Sequence, residues 1–436
     1  MNAGVIEFLT YGVLLIAAGA LVIIGLVKEL APAERARWFL GVGLGTGVLA
    51  FTLKIGFVVI FAAFSVPLLD ILPEPRKSLI RELPGISDIQ LFESKKIIPD
   101  LSRWSPLPTF APAPADNPQT AEKIALGKKL FFDARLSLDG TLSCASCHEV
   151  SENKGGADGR AVSTGIYDQK GTRNAPTVLN AAFQRVLFWD GRAASLEEQA
   201  LGPLTNPIEM GMPDLATVEA RIRGITGYAE QFAAVFPENP EITRQNVAKA
   251  IAAYERTLIT PNSPYDRFVA GDRTALTEQQ IRGMALFEST GCTHCHSGPN
   301  FSEASVFGET AVFRFFPAIP HPEYEQKYRL TEDRGLENGN PEADRGVWRV
   351  PSLRNVARTA PYFHNGSVDS LEEAVRIMAS VQLGKVVSES DTDDKAVFWS
   401  SSRRAFNIAD NRALSDSEVG EIVAFLGALS GELPEE

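Results

Sequence analysis

Cys144-Ala145-Ser146-Cys147-His148 and, 148 residues further on, Cys292-Thr293-His294-Cys295-His296 decide how this chain is read. Together they contain all four cysteines of a 436-residue sequence that has five histidines. Cys-x-x-Cys-His has a mechanical meaning: two thiols add to the two vinyl groups of one haem, and the adjacent imidazole reaches the iron. A zinc-type or redox Cys-x-x-Cys pair would leave both trailing histidines unexplained. The motifs therefore predict two covalently bound haem c groups, one held by Cys144, Cys147 and His148, the other by Cys292, Cys295 and His296.

Working outward, each motif follows a stretch with helical apolar spacing, Ala125-Leu126-Gly127-Lys128-Lys129-Leu130-Phe131-Phe132 and Ile281-Arg282-Gly283-Met284-Ala285-Leu286-Phe287. Downstream, Arg173-Asn174-Ala175-Pro176-Thr177 is loosely echoed by Arg349-Val350-Pro351-Ser352-Leu353-Arg354-Asn355. Further helices are expected at 196–201, 215–222, 243–258, 371–378 and 415–429. Ser195 and Ser370 each stand ahead of a first turn with two glutamates, a helix-opening signature. Strand patterns are almost absent. The expected fold class is all-α, two tandem cytochrome-c-like haem domains made by internal duplication. Lys and Arg number 42 against 54 Asp and Glu, a net charge of −12, which argues against nucleic acid as a partner.

The N-terminus predicts where these domains sit. Phe8 to Val27 are 20 residues without a charge, enough to span a bilayer, and a second apolar stretch from Trp38 to Leu69 is broken only by Lys54. A cleavable signal peptide fits poorly, because Glu7 is the only charge ahead of the first span. The connection from Lys28 to Arg37 carries three basic residues, which places it in the cytoplasm and both ends outside. Haem attachment on the outer face of the bacterial inner membrane gives the same topology. Residues 1–70 are thus expected to form a two-helix transmembrane hairpin anchored in the bacterial inner membrane, with the haem domains in the periplasm. Gly41, Gly43, Gly45 and Gly47 offer a small-residue face, a candidate contact with a membrane subunit. The proline-rich residues 71–118 are expected to be an extended tether.

A resemblance sharpens this reading. Its carriers are Leu126-Gly127-Lys128, Leu130-Phe131-Phe132-Asp133, Arg135-Leu136-Ser137, Ser143-Cys144, Arg173-Asn174-Ala175-Pro176-Thr177, Phe188-Trp189-Asp190-Gly191-Arg192-Ala193, Asn206-Pro207-Ile208-Glu209-Met210, Pro351-Ser352-Leu353-Arg354-Asn355-Val356 and Ala360-Pro361-Tyr362-Phe363-His364-Asn365-Gly366. From residue 119 onward the chain resembles the bacterial di-haem cytochrome c peroxidases. The resemblance implies a peroxidatic haem domain at 119–270 with His148 as proximal ligand, and an electron-transfer haem domain at 271–436. His296 and Met378 would ligate the second iron. Gln199 and Glu209 would form the distal amide and carboxylate, and Trp189 would lie between the haems. Asn174, with the backbone carbonyls of Thr359 and Pro361, would hold Ca2+. His364 is expected to hydrogen-bond near the haem–haem interface. The implied reaction is reduction of hydrogen peroxide to water, with electrons from a cytochrome c, a cupredoxin or quinol.

One block departs from the family. Ser163-Thr164-Gly165-Ile166-Tyr167 has isoleucine where many members carry a histidine that caps the peroxidatic iron. The sixth position is then expected to be open, with water or Tyr167 as its occupant. In this the chain is similar to the subgroup that matures methylamine dehydrogenase, although that subgroup has tyrosine where this chain has Met378. Two other functions compete: a di-haem oxidase that modifies side chains of a partner protein, and a non-catalytic di-haem electron-transfer cytochrome.

Overall fold

Thr120 accepts the Lys123 N–H and opens α1 (Ala121–Phe131), which turns Leu126, Leu130 and Phe131 inward. The computed structural model describes residues 99–151, 154–308, 312–338, 345–385, 387–388 and 413–431. Along them follow α2 (Leu196–Thr205), α3 (Leu215–Gly224), α4 (Tyr228–Val235), α5 (Arg244–Glu255), α6 (Pro264–Val269), α7 (Glu278–Ser289), β1 (Phe313–Phe315), α8 (Pro322–Tyr328), β2 (Val347–Arg349), α9 (Leu371–Val381), β3 (Val387–Ser388), β4 (Leu414–Ser415) and α10 (Asp416–Gly427). All belong to one compact, mostly helical unit.

The duplicated helices do the same job twice. A methyl group added at Gly127 of α1 falls 1.9 Å from the Ala250 carbonyl oxygen on α5. One added at Gly283 of α7 falls 1.9 Å from the Glu421 carbonyl oxygen on α10. Each glycine lets two helix backbones touch, and a core closes around each crossing. The first core includes Leu130, Phe131, Phe232 and Ile251, and the second includes Tyr265, Phe287, Phe301 and Phe425.

The expected helices are present at α2, α3, α5, α9 and α10, with Ser195 and Ser370 accepting the N–H groups of Glu198 and Glu373. Three short helices, α4, α6 and α8, lack a pattern long enough to read. So do the strands, which correct the expectation of a purely α fold. Phe313–Phe315 pairs antiparallel with Val347–Arg349, and Val387–Ser388 pairs parallel with Leu414–Ser415. Runs of two or three residues carry no usable period-2 signal.

The hairpin expected at residues 1–70, and the tether as far as residue 98, lie outside the described residues. Among the described residues no helix is long and apolar enough to cross a membrane. The remaining part of the proline-rich segment lies against both cores. The Trp104 ring sits 5.8–6.4 Å from Tyr265, Phe287, Phe301 and Phe425, and the Leu107 N–H donates to Asp266 at 2.8 Å. Fully buried Asn117 then donates to Glu197 and to the Lys249 carbonyl.

Glu255 ends α5 with 5% of its surface exposed, and burial pushes its carboxyl up to about 8 from an ordinary 4.5, against the pull of Arg256. The raised value means that stability from this group is complete below the unfolded value near 4.5 and is lost as pH climbs toward about 8. Over that window Glu255→Gln is expected to flatten the pH dependence of unfolding by up to about 1.4 kcal/mol per pH unit. Urea unfolding at pH 5 to 8 checks this, and equal slopes in the two proteins would contradict it.

Candidate haem sites and their interdomain contact

The two Cys-x-x-Cys-His motifs fold into matching turns. The Cys147 and His148 N–H groups donate to the Cys144 carbonyl at 3.2 and 3.0 Å, and those of Cys295 and His296 donate to the Cys292 carbonyl at the same distances. This brings both thiols and the imidazole of each motif onto one tight turn. Burial pushes the Cys144 thiol up to about 12 and the Cys292 thiol to about 11. His296 is buried, and its Nδ1 lies 3.1 Å from the Phe301 carbonyl oxygen, leaving Nε2 for a metal. Burial lowers this imidazole to about 4, so the ring is neutral, as a ligand must be. His148 is lowered in the same direction by burial. This donor set fits a covalently attached haem at each motif.

The echoed blocks pass close to the two motifs: the backbone at Pro176 acts on the His148 ring and that at Pro351 on the His296 ring.

Glu209 follows α2, where the chain turns as the Met210 N–H donates to the Pro203 carbonyl. Its Oε1 accepts from Asn206 Nδ2 at 2.8 Å, and burial raises its carboxyl, opposed by Arg192. Its charge also reaches the Cys147 sulfur. Gln199 is half-buried on α2. The Glu209 carbonyl accepts the Ile166 N–H at 3.0 Å, so the 163–167 block runs beside Glu209. A Cβ at Gly165 would fall 1.6 Å from the Ile208 carbonyl oxygen, so only glycine permits this approach. Ile166 is 2% exposed, packed over Gly211. Tyr167, with φ of 54°, is 67% exposed and turned to solvent. In this conformation Tyr167 does not enter the core.

Between the two cores the structure joins four of the expected residues. Trp189 Nε1 donates to the Asn174 carbonyl at 2.8 Å, Asn174 Nδ2 donates to the Pro361 carbonyl at 2.7 Å, and the His364 carbonyl accepts the Asn174 N–H at 2.7 Å. His364 takes part here through its backbone carbonyl. Its imidazole stacks on Trp348 at 4.1 Å and meets Trp189 edge-on at 6.5 Å. Its Nε2 is buried without a hydrogen-bond partner, and burial lowers the ring to about 4. Thr359 lies nearby in chain order, its hydroxyl donating to the Val356 carbonyl. Asn174 presents its nitrogen to Pro361, and a half-turn of the amide would present oxygen instead. Among the described residues no group of three His, Cys, Asp or Glu side chains is placed to hold a metal.

Sequence reasoning missed Trp348 and the ion-pair network beneath it, in which Arg173 bonds Asp190 at 2.7 Å and Asp333 at 2.6 Å. The position of Arg173 beside Asn174 was the available signal. Met378 could be singled out only by the resemblance. Met210, Met212 and Met284 are buried in the cores, whereas Met378 on α9 keeps part of its surface exposed.

A family model described as di-haem cytochrome c peroxidase matches residues 121–274. Cytochrome c551 peroxidase of Nitrosomonas europaea is 39% identical over 299 residues, covering 69% of this chain and 77% of that one. Cytochrome c peroxidase Ccp of Escherichia coli (strain K12) is 41% identical over 263 residues, 60% of this chain, and the match spans 54% of that relative's length. A solved structure described as a MauG-like protein associated with microbial copper homeostasis superimposes with a TM-score of 0.60 at 34% identity, covering 77% of this chain and 94% of that one. The chain belongs to the di-haem cytochrome c peroxidase family, oxidoreductases that act on peroxide.

Proposed function

We propose that this chain is a membrane-anchored peroxidase of the periplasm that reduces hydrogen peroxide to water. The two electrons come from a small redox protein, a cytochrome c or a cupredoxin, or from the quinol pool by way of the hairpin. The observation that carries the proposal is Glu209, a half-buried carboxyl with a raised proton affinity, steadied by Asn206 beside the loop that lacks a capping histidine. The first haem supplies an iron that binds peroxide, and the second supplies an electron store. Glu209 takes the proton from the inner peroxide oxygen and returns it to the outer one, so that the leaving oxygen departs as water. Gln199 donates a hydrogen bond to the oxygen that gains charge. Trp189, fixed by Asn174, holds the path between the two sites at constant length.

Asn174 and the carbonyls of Thr359 and Pro361 supply the neutral oxygen donors that suit Ca2+, with the Asn174 amide reversed on binding. Met378 completes the second iron site. The hairpin of residues 1–70 anchors the molecule in the bacterial inner membrane. A second reading, oxidation of side chains on a partner protein, draws support from Ile166 and from the MauG-like neighbour, while Met378 speaks for the first.

Electron paramagnetic resonance of the haem-loaded ferric protein tests the proposal. One high-spin signal is expected from the open site, together with oxidation of reduced cytochrome c as soon as peroxide is added. Two low-spin signals, or activity that needs prior reduction, would overturn it.

A further inference from the structure

The two haem-binding turns share their backbone bonds but sit among charges of opposite sign. At the second turn Arg314, on β1, donates from Nε to Cys295 Sγ at 3.4 Å and from Nη2 to the His294 carbonyl at 3.4 Å. Its side chain is 17% exposed and pairs with Glu303, whose own N–H donates to the Cys295 carbonyl at 2.9 Å. Lys385, also buried, acts on the Cys292 sulfur as a second cation. At the first turn the acting charges are reversed. Asp158 and Glu209 face Cys147, against exposed Arg160.

We propose that Arg314, supported by Lys385, raises the reduction potential of the second haem and so gives electron flow its direction through the protein. The proposal deepens the peroxidase reading, because it names residues that set the electron-transfer site apart from the peroxidatic one. Reduction removes one positive charge from an iron, so a fixed cation close by in a mostly dry site favours the ferrous state. The guanidinium also draws electron density from the sulfur that carries the haem, an outer contact of the kind that tunes metal sites. Carboxylates around the first turn act the other way. The pair with Glu303 holds the guanidinium against the sulfur while cancelling part of its field.

The test is a dye-mediated redox titration of the haem-loaded protein, followed by absorbance and run without peroxide, so its result stands apart from the peroxidase reading. R314Q is expected to lower the ferrous-to-ferric ratio of the second haem by about tenfold at fixed ambient potential, equivalent to about 59 mV for one electron. The first haem should not move. R314K should keep most of the wild-type potential, and E303Q should raise it. An unchanged second haem in R314Q, or equal shifts in R314Q and R314K, would overturn the proposal, the latter by showing that packing and not charge is at work. If R314Q fails to load the second haem, E303Q decides, and a potential that stays or falls there is also fatal.

Discussion

Glu209→Gln is expected to slow peroxide turnover by about 10²–10⁴-fold while leaving both haems attached. Glutamine keeps the length of the side chain and an oxygen that can accept from Asn206 Nδ2, so the turn after α2 should persist. What is lost is the proton carrier of the proposed mechanism. Burial holds this carboxyl above its ordinary value of 4.5, with Arg192 opposing. The carboxylate form is the one that accepts the peroxide proton. Activity of the parent enzyme should therefore fall on the acid side, and at a higher pH than a solvent-exposed glutamate would give. In the variant that limb should be missing. Stopped-flow peroxide consumption across pH, with haem content measured in the same samples, reads both effects. A variant within about threefold of the parent would remove Glu209 from proton transfer.

The largest stability effect is expected at Arg354. Its side chain is fully buried and bonds Asp266 through two nitrogens at 2.9 and 2.8 Å, and its Nε donates to the Pro299 carbonyl at 2.7 Å. The guanidinium lies 5.0 Å from the Tyr265 ring centre and 5.2 Å from that of Phe301. Arg354→Met removes the cation and leaves the Asp266 carboxylate, 4% exposed, without its countercharge. Breaking one side of a buried pair costs about 3–5 kcal/mol. Because Arg354 also holds the Pro299 carbonyl, the loss should loosen the backbone leading to Phe301, whose carbonyl lies 3.1 Å from His296 Nδ1. Urea unfolding of the haem-loaded protein measures the first effect. A loss below about 1 kcal/mol would fall outside the range for broken buried pairs.

Long-period features were legible in the sequence and short or spatial ones were not. The spacing of Leu126, Leu130 and Phe131 announced α1, and the matching stretch before Cys292 announced α7, because each spans several helical turns. Cys-x-x-Cys-His declared its ligands because the chemistry needs consecutive residues. The strand holding Trp348 is three residues long and offers no period, so neither the stack on His364 nor the antiparallel pairing with Arg314 was visible. Arg314 itself lies 19 residues from the sulfur it touches. Pro176 and Pro351 stood out as an echo, yet the closeness of their backbone to His148 and His296 leaves no mark on side-chain identity. Ile166 was read as a departure, and only the fold reveals that the next residue, Tyr167, faces outward. Asn174 and Pro361 are far apart in sequence, and their 2.7 Å bond needed the resemblance to be suspected at all.

The paired glycines at 127 and 283 also bear on how the two halves compare. At each crossing even one added carbon would lie 1.9 Å from a carbonyl oxygen of the facing helix, so no other residue fits unless the helices part. The neighbouring positions are under no such limit, and they differ freely between the halves: lysine follows one glycine and methionine the other. Within this helix the two halves share the apolar stripe and the one site with no room for a side chain. Gly127 and Gly283 are held by exclusion of volume and not by chemistry, and they set the register in which the two halves can be laid over one another.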